Sequence, residues 1–67
     1  MIDKATLLSW LSRFPGVVGE PEIEGEGPTR ARVETRSTDD AATVYAALQL
    51  TEWEGEQRGA MVFIDLD

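Results

Sequence analysis

The side chains in this sequence that could do chemistry are carboxylates, and they come in rows. Glu20, Glu22, Glu24 and Glu26 alternate with Pro21, Ile23 and Gly25; Glu52, Glu54 and Glu56 alternate with Trp53 and Gly55; Asp65 and Asp67 bracket Leu66. Paired carboxylates can hydrolyse a glycoside with no help from histidine. That reaction needs a cleft that holds sugar and raises one carboxyl pKa. A chain of 67 residues has little volume for one. An Asp-x-Asp pair can hold a divalent metal beside a phosphate. Here no phosphate-binding glycine loop precedes it, because Gly25-x-Gly27 and Gly55 to Gly59 do not have that spacing.

The missing residues narrow the chemistry further. With no cysteine and no histidine, the chain has no thiolate or imidazole zinc site, no Ser-His-Asp or Cys-His nucleophile, and no side chain that normally titrates near neutrality. The expectation is a protein that is not an enzyme, takes no metal or cofactor, and acts by binding.

Thirteen acids against six bases give a formal net charge of −7. Such a field repels nucleic acid and anionic membrane and attracts basic surfaces, although acidity also serves plain solubility. In an extended chain every second side chain points the same way, roughly 6.7 Å apart. The 20–26 row then becomes a line of anions, coarser than the phosphates of one DNA strand, about 3.4 Å apart. Arg30, Arg32 and Arg36 lie close enough in sequence to neutralise much of it across a hairpin. Near the second row the only base is Arg58, so Glu52, Glu54 and Glu56 are the better exposed patch. Trp53, between them, is either a core residue or an aromatic anchor inside an acidic rim.

The elements that must position these rows read as α-β-β-α-β. Asp3 caps an amphipathic helix over residues 3–14, with Ile2 and Leu7 as a hydrophobic staple and Leu7, Leu11 and Phe14 along the stripe. Pro15-Gly16 stops it. Residues 17–24 and 30–36 form a hairpin. Pro21 makes the first arm an edge strand, and the even-numbered charges of both arms share one face. One register with that property pairs Ile23 with Val33, Glu24 with Arg32 and Glu20 with Arg36. A second helix over residues 39–50 starts from a capping-box-like Ser37 and Asp40. The apolar run 60–64 predicts a central strand buried on both faces. Residues 51–54 form a further strand, with 55–59 as the turn, or a loop. The fold class is α+β: a small antiparallel sheet of three or four strands in a single domain, with both helices on one face.

Met1-Ile2-Asp3-Lys4 carries no basic region ahead of an apolar stretch, and the longest apolar run is far too short to span a bilayer. Both point to a cytoplasmic protein without a membrane partner.

In character the whole chain resembles the small phage-borne anti-CRISPR proteins that inhibit type I systems. The features shared are one tiny acidic α+β domain, no catalytic set, and the rows Glu20-x-Glu22-x-Glu24-x-Glu26 and Glu52-x-Glu54-x-Glu56. The resemblance implies an inhibitor that binds a basic, DNA-handling surface of a CRISPR interference complex. Arg30-x-Arg32 departs from a purely acidic mimic. The partner-binding candidates are Glu52, Glu54, Glu56, Glu20, Glu22, Glu24, Glu26 and Trp53, on a monomer or weak dimer that touches no nucleic acid itself. The competing expectation is a structural module that self-associates as a homodimer through a sheet edge or an apolar patch, with Trp10, Trp53 and Phe63 in the interface.

Overall fold

A computed structural model describes residues 1–24 and 29–66. The elements run α1 (Lys4–Ser12), β1 (Val17–Glu24), β2 (Arg30–Thr35), α2 (Thr38–Leu48), β3 (Glu54–Arg58) and β4 (Met61–Asp65). The four strands make one antiparallel sheet in the order β1-β2-β4-β3. This is the α+β architecture expected from the sequence, with the fourth strand formed.

Both helices begin where the side-chain chemistry says they should. Asp3 accepts the Thr6 N–H at 2.8 Å and Ser37 accepts the Asp40 N–H at 3.1 Å. Each cap satisfies a donor that the first helical turn leaves unpaired, a contribution of about 1 kcal/mol. Asp39 and Asp40 add negative charge to the first turn of α2, where the dipole favours it.

Strand alternation sorts the side chains onto two faces. Ala31, Val33 and Thr35 of β2 and Val62 and Ile64 of β4 point to the helices. There they form the core with Leu7 and Leu11 of α1 and Ala41, Val44, Ala47 and Leu48 of α2. Each fully buried leucine contributes roughly 1.5–3 kcal/mol over its exposed state. The one buried polar side chain among the described residues, Thr35, has its hydroxyl within 2.8 Å of the Ser37 carbonyl and 2.7 Å of the Ala60 carbonyl.

Two expectations are corrected, and the hairpin register that the sequence left open is resolved. β4 is central, but it is buried on one face only. Its Met61 and Phe63 are half-buried on the side that carries no helix. In the hairpin, Ile23 lies opposite Ala31, Glu24 opposite Arg30 and Glu22 opposite Arg32, while Val17 and Val18 face Thr35 and Glu34. An irregularity between Val18 and Glu22 puts two extra residues into β1. Two extra residues preserve the alternation, so the even-numbered charges still share a face. Finally, the last hairpin turns later than expected. Arg58 pairs with Met61, leaving Gly59-Ala60 as a two-residue turn. Gly59 takes φ +58°, a conformation that tight hairpin turns require and glycine supplies without strain.

No helix among the described residues is long and apolar enough to cross a membrane.

Candidate functional site

The face of the sheet without helices is a grid of charge. Cross-strand pairing sets Glu24, Arg30, Asp65 and Glu54 in one row, and Glu22, Arg32, Phe63 and Glu56 in the next. The third row is Val18, Glu34, Met61 and Arg58. Three arginines tie these rows together. Arg32 reaches Glu24 at 2.6 Å and Glu22 at 3.2 Å. Its buried Nε stands 3.6 Å from Glu34, beyond hydrogen-bond range, and has no hydrogen-bond partner among the described residues. Arg30 bonds Glu56 at 2.7 Å and Asp65 at 2.9 Å, and Arg58 bonds Glu56 at 2.9 Å.

Phe63 sits beneath this network. The guanidinium carbons of Arg30 and Arg58 lie 5.4 Å and 5.8 Å from its ring centroid, within the range of cation–π attraction. The half-exposed face of β4 is therefore roofed by arginine side chains, whose apolar stems cover what the helices do not.

The charges respond to these neighbours. Hydrogen bonds from Arg30 and then Arg58 hold the Glu56 carboxyl below its ordinary pKa. The bonds from Arg30 to Glu56 and Asp65 raise the Arg30 pKa. Desolvation works against the charge of Arg32, and Glu24, Glu22 and Glu34 more than offset it. The Thr6 N–H lowers the pKa of Asp3. Asp3 and Glu56 thus both move down, the wrong direction for either to serve as a general acid.

The expected binding residues divide into three groups. Glu22, Glu24 and Glu56 belong to the arginine network. For Glu22 and Glu24 this neutralisation follows from the hairpin, but Glu56 is paired where it was expected to be free. Glu20 and Glu54 are exposed and carry no ion pair or hydrogen bond among the described residues. Glu52 is exposed too, with one carboxylate oxygen accepting the Ile2 N–H at 2.9 Å. Glu26 and Asp67 lie outside the described residues, and with them the Asp65-x-Asp67 pair.

Trp53 is half-buried and packs against the core. Its indole N–H donates to the Ile2 carbonyl at 2.9 Å, so the aromatic group between the acids anchors the N-terminal segment. Around it Glu52, Glu54 and Asp65 line a shallow depression. Asp65, read from the sequence only as part of an acidic tail, joins this corner because it lies opposite Glu54 across the β3–β4 ladder. No cluster of three or more potential metal ligands is found among the described residues. The chain matches no protein-family model, no curated protein and no solved structure.

Proposed function

We propose that this chain is an inhibitory binding protein, anti-CRISPR-like, that acts in the cytoplasm without catalysis. Its acidic surface occupies a basic nucleic-acid-binding site of a partner complex and blocks DNA there. The observation that carries this reading is the consumption of the bases. Arg30, Arg32 and Arg58 are each held by carboxylates, so half of the six basic side chains offer no free cation to a phosphate. The unpaired acids Glu54 and Glu20, with Glu52, remain to face a partner. A surface of net −7 speeds encounter with a basic groove and rejects acidic competitors.

Contact centres on Glu54 and Glu52 beside Trp53, with Glu20 on the opposite edge strand as a second point of charge. The paired acids of the grid contribute to the long-range field more than to direct contact, because each already has a counter-ion. Titration of the chain into a basic DNA-binding complex, followed by fluorescence anisotropy of labelled duplex, tests the reading. Displacement of DNA that weakens with salt supports it. A ternary complex with DNA still bound refutes the blocking mechanism.

A further inference from the structure

An open groove of about 810 Å³ runs along the outer side of α1, between that helix and the turn that follows α2. Ala5, Ser9 and Trp10 line it from the helix and Leu50 from the turn. Leu50 is 86% exposed, a large apolar side chain left in water beside a half-buried tryptophan. Trp10 is fixed by edge-on packing against Phe14, with ring centroids 5.4 Å apart.

Side chains of opposite charge stand at the two ends of the groove, which the Met1 amino terminus also lines. Glu52 stands at the N-terminal end of α1, where it binds the Ile2 N–H. Arg13 stands just beyond the C-terminal end. It reaches only Ser9 Oγ, at 3.5 Å, and forms no ion pair among the described residues. The ends are separated by the nine residues of α1, about 13 Å at the helical rise.

We infer that this groove is the interface of a two-fold symmetric dimer of the chain. A two-fold axis perpendicular to α1 lays the helix antiparallel on its copy and exchanges the ends. Arg13 of each copy then meets Glu52 of the other. Leu50 is covered against the partner's groove, and the small side chains Ala5 and Ser9, four residues apart on one face, let the two helices approach closely. A uniformly basic partner would bring like charge against Arg13, and a uniformly acidic one against Glu52. A second copy in antiparallel register does neither. In the dimer Glu52 is taken up by Arg13 of the other copy, whereas Glu54 and Glu20 lie outside the groove and stay available to a basic site, so failure of the dimer and failure of the blocking reading are separate results.

Sedimentation equilibrium of the full chain over a wide concentration range tests this. The expected result is a monomer–dimer equilibrium. Leu50→Asp and Arg13→Glu each raise the dissociation constant by about tenfold or more, with an unchanged circular dichroism spectrum. Glu52→Arg does the same, and the double reversal Arg13→Glu with Glu52→Arg restores association. Leu50→Asp guards against a folding artefact, because so exposed a side chain adds little to the core. A chain that stays monomeric throughout overturns the inference. So does a Leu50→Asp variant that dimerises normally, or a double reversal no tighter than the single variants.

Discussion

The indole N–H of Trp53 donates to the main-chain carbonyl of Ile2 at 2.9 Å, while Glu52, one residue earlier, accepts the Ile2 N–H at 2.9 Å. Two adjacent side chains thus clamp both polar groups of one residue at the other end of the chain. The segment between α2 and β3 thereby holds the start of α1 against the core. Trp53→Phe keeps most of the packing and loses the bond. It is expected to lower stability by about 1 kcal/mol in urea denaturation and to leave partner binding nearly unchanged. Loss of binding at unchanged stability would make Trp53 a contact residue.

Arg32 holds three carboxylates from two strands. Arg32→Met retains the apolar stem but leaves Glu22, Glu24 and Glu34 without their shared counter-ion. Like charges on neighbouring strands repel, and the variant is expected to be less stable at low salt. The deficit shrinks as salt is added and the repulsion is screened. Urea midpoints at two ionic strengths measure both effects.

Acid should loosen this fold by a predictable route. The folded-state pKa of Glu56 lies below its ordinary 4.5 and that of Asp3 below 3.8. Depressed carboxyl values mean that the folded state resists protonation. Their contribution is present above the ordinary values and disappears as pH falls through the folded ones. The thermal midpoint is expected to drop on acidification from about pH 4.5 downward and to stay flat between about pH 6 and 8, where no histidine titrates. Glu56→Gln removes part of the acid dependence.

At Gly55 strand β3 runs tight against β4 and against Leu48 of α2. A Cβ there would press into the main-chain carbonyl of Phe63 and the side chain of Leu48. Gly55→Ala is expected to cost about 1–3 kcal/mol, as overpacking does, measurable as a lowered urea midpoint with an unaltered slope.

Much of the fold was legible because it rests on local signals. Asp3 and Ser37 as caps, Pro15-Gly16 as a stop, and the alternation of Ala31, Val33 and Thr35 each depend on neighbours a few residues away. Pro21 marked β1 as an edge. The register was not legible, because the two extra residues in β1 leave the alternation intact and so leave no trace in the pattern. Nor was the pairing of Glu56. Its counter-ion Arg30 is 26 residues away, and they meet only because β4 lies between β2 and β3. The strand order therefore brings Arg30 to Glu56 and not to Glu52 or Glu54, and only the shorter pairing of Glu56 with Arg58, two residues on, lies within reach of sequence spacing.

The central claim is that unpaired acids on this chain compete with DNA for a basic site. Its most direct test is displacement of labelled duplex from a type I interference complex by the wild-type chain and by a Glu20→Lys, Glu54→Lys variant. Neither residue has a partner among the described residues, so the variant should fold with wild-type stability to within about 0.5 kcal/mol. The account predicts that wild type displaces DNA, less effectively as salt rises, and that the variant is at least about tenfold weaker. Displacement by the variant equal to wild type, or DNA that stays bound at saturating wild-type chain, would contradict it.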